Sequence, residues 1–341
     1  MGEYLKTKNA TSVSSHEILL DLRQLELFLE MADIIVAKNL FKQFNEIKAV
    51  DDLSFSVPEG NIYGYLGQNG AGKSTTIRML LTLISPTSGE IEIFGMDLRK
   101  HRKEILKRTG AIIERPDLYK YLTALENLRI FATLSGGRIT QRRLMEQLEK
   151  VGLSERANSR VKTYSQGMKQ RLGIAIALIH EPPLIILDEP MNGLDPQGIA
   201  DMRNLILHLS RDMKKTVVVS SHLLSEMELI ADSMLIIDKG KKVVEGKMTE
   251  LFAPSETIVE LQANDVTAVY EKIQQTDLKK YVLSRKGDII LFRVHRSIVP
   301  MLVKDLVQMN IEIISLSPRH SLENYFLSLT TENQHVESFK N

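Results

Sequence analysis

The pattern G-x-x-x-x-G-K-[ST] constrains the fold of this chain more than any other feature, because it requires a strand before the loop and a helix after it. It is written here as Gly67-Gln68-Asn69-Gly70-Ala71-Gly72-Lys73-Ser74-Thr75. The apolar run Ile62–Leu66 predicts the strand, and Ser74–Leu83 has a helical pattern. In such a loop the backbone N–H groups surround an anion, the lysine reaches the β- and γ-phosphates, and the first hydroxyl ligates Mg²⁺. The sequence therefore predicts a phosphate-binding site with Lys73 and Ser74 in those roles.

Composition limits the partners that the chain can have. Its 341 residues are enough for about two domains, and 43% of them are hydrophobic. The net charge of +1 gives no electrostatic case for nucleic acid, and the absence of cysteine excludes disulfides and thiolate metal sites. The longest apolar run, Leu172–Ile179, falls far short of the roughly 18 residues of a membrane helix, and the N-terminus has no secretory signal pattern. We therefore expect a protein that reaches a membrane only through a partner.

Residues 32–250 alternate short apolar runs with helical patterns. Leu184–Leu187 and Val217–Ser220 are typical of central parallel strands, and Met234–Ile237 with Val243–Glu245 predicts a closing hairpin. Residues 120–160 are patterned as helices. We expect an α/β core with a mostly parallel sheet, an antiparallel β edge and a helical subdomain at about residues 118–168. Ligands of such a core bind at the carboxyl ends of its strands.

The two ends of the chain differ from residues 32–250 in their pattern of apolar and polar residues. Residues 251–330 contain strand and helix patterns in the order βαββαβ, which predicts a small α+β accessory domain of the ferredoxin-like type. They hold no catalytic cluster, and a last helix is expected at Leu322–Leu329. Residues 1–31 form an N-terminal extension of helical character, which is more often a surface helix than a functional element. Residues 331–341 are a polar tail.

Two carboxylates follow the apolar strand Leu184–Leu187. The strand delivers Asp188 to the metal of the phosphate loop, where it holds Mg²⁺ directly or through water. Glu189 lies one residue further, in a position to orient or deprotonate a water molecule. Acids often follow strands, so this pair alone is weak evidence. Downstream of a phosphate loop and before Pro190, it predicts hydrolytic chemistry.

Together with the phosphate loop, these residues resemble the ATP-binding subunits of ABC transporters over residues 32–250, and the C-terminal extension is similar to a subset of that family. Tyr164-Ser165-Gln166-Gly167-Met168 stands where the family has its LSGGQ signature, and Asn192-Gly193-Leu194-Asp195 is similar to the D-loop. His222 matches the switch histidine, and Phe44 stands where an aromatic ring stacks on adenine. The resemblance implies nucleotide contacts for Phe44, Ser165, Gln166, Gly167 and Asp195. The alternatives are a core aromatic for Phe44, a plain helix cap for Ser165 and a buried structural histidine for His222.

The clearest departure from the family pattern is Glu114, at a position where glutamine is usual. An ionised glutamate only accepts hydrogen bonds and binds Mg²⁺ harder than glutamine, so Glu114 is predicted as a ligand of the metal and nucleotide. A glutamate here resembles the branch of the family that exports bacitracin and lantibiotics or confers immunity to them. A neutral exchange of glutamine for glutamate in a general exporter is the alternative.

The resemblance implies an ATPase that works as a dimeric ATP sandwich, most simply a homodimer. Each ATP lies between the phosphate loop of one chain and Ser165 and Gly167 of the other, with Lys73, Glu189 and His222 as catalytic residues. The implied partner is a separately encoded permease, docked around Glu114–Leu128, which holds the protein at the inner face of the cell membrane. Three other functions stay open: a general multidrug or lipid exporter ATPase, a peptide-sensing ABC module, and a soluble non-transport ABC ATPase. The last is disfavoured by the single phosphate loop and the absence of sustained heptads.

Overall fold

The computed structural model describes residues 33–136, 139–251 and 257–319. The strands are β1 (Asp33–Phe44), β2 (Ile47–Pro58), β3 (Ile62–Leu66), β4 (Ser88–Ile93), β5 (Met96–Asp97), β6 (Thr109–Ile112), β7 (Leu184–Asp188), β8 (Thr216–Ser221), β9 (Ser233–Asp238), β10 (Lys241–Lys247), β11 (Thr257–Ala263), β12 (Val282–Lys286), β13 (Ile289–Val294) and β14 (Ile313–Arg319). The α-helices are α1 (Lys73–Leu80), α2 (Arg102–Lys107), α3 (Ala124–Leu134), α4 (Gln141–Lys150), α5 (Gln166–Ala177), α6 (Pro196–Arg211), α7 (Leu224–Glu228), α8 (Met248–Leu251), α9 (Val266–Gln274) and α10 (Val299–Gln308). Short 3₁₀ turns occur at Ser154–Arg156, Val161–Thr163, Asp277–Tyr281 and Arg296–Ile298. The helices predicted in residues 1–31 and at Leu322–Leu329 lie outside the described residues.

The central sheet has the strand order β10-β9-β3-β8-β7-β6. Its strands β9, β3, β8, β7 and β6 are parallel, and β10 adds an antiparallel edge. This arrangement confirms the predicted α/β class with a mostly parallel sheet. Because β8 lies between β3 and β7 and is parallel to both, the carboxyl ends of these three strands lie at the same edge of the sheet. The phosphate loop, His222 and Glu189 follow those strand ends, and Asp188 is the last residue of β7.

Both faces of the central sheet are covered, which explains the continuous apolar runs of its strands. Successive side chains of a strand point to opposite faces. In β7, Ile185 and Leu187 pack into a core formed with the helices, whereas Leu184 and Ile186 pack into a second core with Tyr63 and Tyr65. All five residues of β7 are buried. The strand that carries Asp188 is therefore held rigidly from both sides.

A second, antiparallel sheet has the order β2-β1-β4-β5 and packs on the second core. Its strands β1 and β2 are each 12 residues long and form a hairpin. The outer halves of both strands expose polar side chains, and the pairing shifts register there. The apolar pattern therefore marks only the buried half of each strand.

Several helices differ from the sequence prediction, and two of them lie close to the predicted site. The helix after the phosphate loop ends at Leu80 rather than Leu83, because Thr82 has a left-handed φ of 57°. The 16-residue helix α6 was not predicted at all. Its start signal is present in the sequence, since Asp195 caps it and Pro196 occupies its first turn.

Residues 257–319 form a separate antiparallel sheet of order β12-β13-β11-β14 with helices α9 and α10. The elements follow each other as βαββαβ, which confirms the predicted ferredoxin-like architecture. Their core includes Leu261, Ile273, Phe292 and Leu306. The exact domain boundaries stay predictions. Within the described part of the chain, no helix is both long enough and apolar enough to cross a membrane.

Candidate functional site

The phosphate loop turns from β3 into α1 and has two positions where only glycine fits. Gly72 has φ of 107°, and a Cβ added there would lie 2.5 Å from the carbonyl oxygen of Ala49 in β2. A Cβ on Gly67 would lie 2.6 Å from the carbonyl oxygen of Ile237 in β9. The loop is therefore pressed against two neighbouring strands, and its backbone is fixed before any ligand arrives.

Lys73 folds back over this loop. Its Nζ donates to the carbonyl oxygens of Gly67, at 2.6 Å, and Gln68, at 3.2 Å, and the residue is only 5% exposed. Ser74 and Thr75 lie in the first turn of α1 and are partly buried, whereas Asn69 and Gly70 are exposed on the outside of the loop. The positive end of the α1 dipole and the ammonium group thus favour an anion at the same place.

The structure brings together the three side chains that the sequence predicts as catalytic. Glu189 follows β7, and its Oε1 lies 3.2 Å from Lys73 Nζ. Its other oxygen, Oε2, lies 2.8 Å from Nδ1 of His222, which follows β8. Glu189 has a left-handed φ of 50°, so the chain turns sharply after the strand and the carboxylate is aimed at the lysine. One carboxylate is therefore held between a phosphate-loop cation and an imidazole.

Ser220 is a site residue that sequence reasoning missed. It lies on β8 directly opposite Asp188 on β7, and its Oγ donates to Asp188 Oδ1 at 2.5 Å. The same Oγ accepts from the backbone N–H of Glu189 at 2.9 Å. The available signal was the polar ending Ser220-Ser221 on a strand whose preceding residues are valines.

The residues present fit a Mg²⁺ ion. Asp188 is 1% exposed, and its Oδ2 has no hydrogen-bond partner within the described part of the chain. A buried carboxylate oxygen without a partner is costly unless a cation binds it. Among the described residues, no three acidic, histidine or cysteine side chains form a metal cluster. Mg²⁺ typically takes one or two protein oxygens together with phosphates and water, so Asp188 and Ser74 are a suitable pair of ligands.

Glu114 lies beyond the end of β6 and is engaged elsewhere. Its Oε1 accepts from Arg78 Nη2 of α1 at 2.5 Å, in an ion pair that is open to solvent. Its carbonyl oxygen accepts from Gln170 Nε2 of α5 at 3.5 Å, so this residue connects the phosphate-loop helix to α5. The residue has a left-handed φ of 58°. Its predicted role as a ligand of Mg²⁺ stays a prediction.

The signature residues form the start of α5. Ser165 caps the helix, and its Oγ accepts from the backbone N–H of Met168 at 3.2 Å. Gln166, which replaces a glycine of the family pattern, is the first helical residue and is not among the residues of positive φ. Gly167 leaves open space, since a Cβ there would meet only Leu194, at 4.0 Å. The substitution of glycine by Gln166 therefore needs no special backbone angle.

Asp195 of the D-loop lies beside these signature residues. A cavity of about 160 Å³ is lined by Ser165, Gly167, Arg171, Asp195, Gln197, Gly198, Asp201 and Met202. The Asp195 side chain caps α6 by accepting from Gly198 N at 3.3 Å. Two helix N-termini thus open on the same small cavity, where both dipoles favour an anion.

The phosphate-loop cavity is distinct from the signature cavity. It has about 350 Å³ and is lined by Gly67, Gln68, Asn69, His222 and Leu224. The two cavities share no lining residue. Some predicted nucleotide contacts of one chain thus line the first cavity and others line the second.

Phe44 ends β1 at the tip of the β1–β2 hairpin. It is 44% exposed, and Lys42 Nζ lies 4.8 Å from the centre of its ring. The ring is therefore outside the buried cores and accessible to a flat ligand. Its predicted stacking on adenine stays a prediction.

Comparisons with known proteins agree with this geometry. The family model described as ABC transporter matches residues 50–192. The chain is 44% identical to the bacitracin transport ATP-binding protein BcrA of Bacillus licheniformis over 302 residues, which are 88% of this chain and 98% of that protein. It is 40% identical to the lantibiotic transport ATP-binding protein SrtF of Streptococcus pyogenes over 235 residues, which are 69% of this chain and 97% of that protein. A dimeric post-hydrolysis structure of the ATP-binding cassette MJ0796, bound to ADP and Pi, matches with a TM-score of 0.57 and 27% identity, over 63% of this chain and 98% of that one.

Proposed function

Because the chain belongs to the ATP-binding proteins of ABC transporters, we propose that it powers a separately encoded membrane permease that exports antimicrobial peptides such as bacitracin or lantibiotics. The observation that carries the proposal is the 44% identity to the bacitracin transport protein over 98% of its length. That match includes residues beyond the ATPase core, since its 302 residues exceed those from β1 to α8. A second relative, 40% identical, is a lantibiotic transport protein. Glutamate at position 114 is consistent with this branch of the family.

The functional unit that we propose is a dimer with two ATP molecules at its interface. The phosphate-loop cavity and the signature cavity of one chain share no lining residue. Ser165 and Gly167 of a second chain can complete the site that Lys73 begins. The dimeric cassette with ADP and Pi supports this arrangement by similarity. Because both half-sites are present in this chain, a homodimer is sufficient.

The chemistry follows from the three side chains around Glu189. Two anionic groups can bind Lys73 Nζ: the Glu189 carboxylate, 3.2 Å away, and the phosphates of ATP. When phosphates bind Lys73 Nζ, Glu189 Oε1 is released and can accept a hydrogen bond from the attacking water. His222 Nδ1, 2.8 Å from Oε2, keeps the carboxylate oriented. Mg²⁺, held by Ser74 and Asp188, would neutralise developing negative charge on the phosphates.

The permease would bind on the surface around α3. A groove of about 470 Å³ is lined by Leu122, Glu126, Arg129, Ile130, Thr133 and Leu134. Tyr121 is 78% exposed beside it. Large apolar side chains exposed together mark interaction surfaces. This surface overlaps the predicted docking region Glu114–Leu128, and a permease bound there would hold the protein at the inner face of the membrane.

Co-purification tests the proposal. The tagged protein is extracted from its native membrane in detergent, and its partners are identified by mass spectrometry. Survival of cells against bacitracin and lantibiotics is then measured with and without this chain and its permease. We expect a permease of about six spanning helices as partner and a loss of resistance when either chain is deleted. Recovery without any permease would support the soluble, non-transport alternative instead.

A charge reversal tests the docking surface separately. Arg115→Glu changes an exposed residue of the docking region and should reduce transport while leaving basal ATPase activity intact. Lys304→Glu, on an exposed face of α10, is the matched control and should change neither activity. Loss of transport and ATPase together in Arg115→Glu would argue against a docking role.

Two alternatives differ from a peptide exporter in what these experiments would show. A general multidrug or lipid exporter would purify with a permease but give no specific peptide resistance. A peptide-sensing module would give a signalling response that depends on Glu189, without export of labelled peptide.

A further inference from the structure

We infer that Ser220 is a positioning residue of the ATPase site, which orients the Asp188 carboxylate toward Mg²⁺ and fixes the backbone that aims Glu189. This inference rests on the proposed function, because it assigns Asp188 and Glu189 their metal-binding and water-binding roles. It adds a residue from within β8 to a site whose other residues lie at or after the ends of β3, β7 and β8. It also explains why a hydroxyl is present in the interior of the sheet.

The first part of the inference follows from the two oxygens of Asp188. Ser220 Oγ donates to Oδ1 at 2.5 Å, so this oxygen is occupied within the protein. The other oxygen, Oδ2, is buried and has no hydrogen-bond partner within the described residues. A carboxylate with one oxygen tied by a hydrogen bond cannot rotate freely. The bond therefore selects which oxygen is presented to a cation, as outer-shell partners of metal ligands commonly do.

The second part concerns the backbone after the strand. The N–H of Glu189 donates to Ser220 Oγ at 2.9 Å and lies 3.2 Å from the Ser220 carbonyl oxygen. Glu189 has φ of 50°, a conformation that non-glycine residues rarely adopt and that persists only when its surroundings hold it. Ser220 thus supports the turn that places the Glu189 carboxylate between Lys73 and His222. The Ser220 hydroxyl therefore donates to the Asp188 carboxylate and accepts from the backbone N–H of Glu189.

The surroundings of Ser220 argue against a side chain that serves only to fill space in the sheet. Ser220 is 0% exposed, on a strand whose preceding residues are the valines 217–219. Such a position in a parallel strand is normally apolar, since a buried hydroxyl is unfavourable unless it is hydrogen-bonded. The next residue, Ser221, has a different role, because its Oγ accepts from Leu223 N at 2.9 Å. Of the two serines, Ser220 is the one that contacts both acids.

The test compares Ser220→Ala, which removes the hydroxyl, with Ser220→Thr, which retains it. Ser233→Ala is the matched control, because Ser233 is also buried in the same sheet but its Oγ has no partner within the described residues. Binding of a fluorescent ATP analogue is titrated with Mg²⁺ and repeated in EDTA, and ATP turnover and the melting temperature are measured alongside.

We expect Ser220→Ala to need about 10–100-fold more Mg²⁺ for half-maximal binding, the usual effect of losing an outer-shell partner. Its binding of the analogue in EDTA should equal that of the wild type, because Lys73 and the loop are unchanged. Its turnover should fall as well. Ser220→Thr should restore the Mg²⁺ dependence, and Ser233→Ala should match the wild type throughout.

A Mg²⁺ dependence of Ser220→Ala equal to that of the wild type overturns the inference, as does equal weakening of binding in Mg²⁺ and in EDTA. If Ser220→Ala does not fold, Ser220→Cys is used, since its weak S–H donor predicts a Mg²⁺ requirement above that of wild type. A wild-type requirement in that variant overturns the inference too. Failure of the proposed ATP chemistry at this site is distinguishable, because the wild-type chain would then show no Mg²⁺-dependent ATP binding or hydrolysis.

Discussion

At the residue scale, the site depends on a carboxylate that is already engaged from both sides. Lys73 Nζ lies 3.2 Å from one oxygen of Glu189, and His222 Nδ1 lies 2.8 Å from the other. Glu189 is mostly buried, so these contacts act in a region of lower dielectric than water. The arrangement holds the carboxylate oriented before the nucleotide binds. In the proposed mechanism, competition of phosphate for Lys73 links ATP binding to the release of Glu189 as the base.

The variant Glu189→Gln should lose roughly 10²–10⁴-fold in ATP turnover, the usual share of a general base, and should still bind ATP. Glutamine has nearly the same shape but accepts a proton far less readily than a carboxylate does. Steady-state phosphate release measures the turnover, and equilibrium binding of a fluorescent ATP analogue measures the affinity. Turnover close to that of the wild type would remove Glu189 from its assigned role.

Two glycines of the loop should respond differently to alanine. Both have positive φ, which costs about 1–2 kcal/mol for a residue with a Cβ. Gly72 also has the Ala49 carbonyl oxygen only 2.5 Å from the added Cβ, whereas Gly70 has nothing within 4 Å. Urea unfolding should therefore show a larger loss of stability in Gly72→Ala than in Gly70→Ala. Equal losses would mean that the loop moves easily away from β2.

At the scale of elements, helix N-termini carry much of the predicted binding. Helix α1 begins at Lys73, α5 begins after Ser165, and α6 begins after Asp195. Each start supplies backbone N–H groups and a positive dipole end. Ser165 and Asp195 cap their own helices, so their oxygens are partly occupied by the fold. The cap and the proposed phosphate contact are therefore two uses of the same helix end.

Ser165 variants can separate those two uses. Ser165→Ala removes the cap and should cost about 0.5–2 kcal/mol of stability, whereas Ser165→Asp should retain the cap. Aspartate also adds a negative charge where a phosphate is proposed, so Ser165→Asp should be stable but unable to hydrolyse ATP. Thr140→Ala, which removes the cap of α4, is the control for loss of a cap alone. Normal ATPase activity in Ser165→Asp would contradict the phosphate contact.

Helix α3 begins with a capping box that should make stability depend on pH. Glu126 Oε2 accepts from the backbone N–H of Thr123 at 2.7 Å, and this bond, followed by the bond from the Thr123 hydroxyl, lowers the pKa of Glu126. A depressed carboxyl pKa means that the stabilisation is fully present above the unfolded value of about 4.3 and is lost as the pH falls through the folded value.

Glu126→Gln should remove this titration. Below about pH 4.3, the unfolding free energy of the wild type should therefore fall more steeply with decreasing pH than that of the variant. Urea unfolding at a series of pH values measures the two slopes, and the difference between the two proteins at neutral pH serves as the reference. Parallel curves over the whole range would show that the capping box contributes no pH dependence.

At the scale of the whole molecule, the two cavities are the observation that supports the proposed dimer. The phosphate-loop cavity and the signature cavity have no residue in common. In the proposed dimer, one nucleotide contacts the phosphate-loop cavity of one chain and the signature cavity of the other. If ATP binds the closed dimer better than the open form, its binding shifts the population toward the dimer, and hydrolysis reverses the shift.

A dimer driven by ATP should be directly observable. With Glu189→Gln, which should bind ATP without hydrolysing it, size-exclusion chromatography with light scattering should detect a species of twice the 38.7 kDa chain in ATP and Mg²⁺. Adding Ser165→Asp to this variant should abolish the larger species. If Glu189→Gln alone also stays monomeric in ATP and Mg²⁺, the result would contradict the ATP sandwich for this chain.

The sequence by itself determined the local chemistry. The phosphate loop, the acids after β7 and the βαββαβ order were readable because each depends on residue types at short, fixed spacings. The apolar runs of the central strands were equally readable, since strands covered on both faces expose no polar side chains. The ends of β1 and β2 were not, because their outer halves face solvent and lose the apolar pattern.

Only the tertiary structure decided which of these residues meet. The order β3-β8-β7 places Ser220 and His222 beside acids that lie over thirty positions away in the chain, as the pairs Asp188–Ser220 and Glu189–His222 show. The partner of Glu114, Arg78 on α1, was also unpredictable, because no local pattern relates them. A motif fixes what a residue can bind, whereas sheet order and register fix its neighbours, which residue spacing alone does not encode.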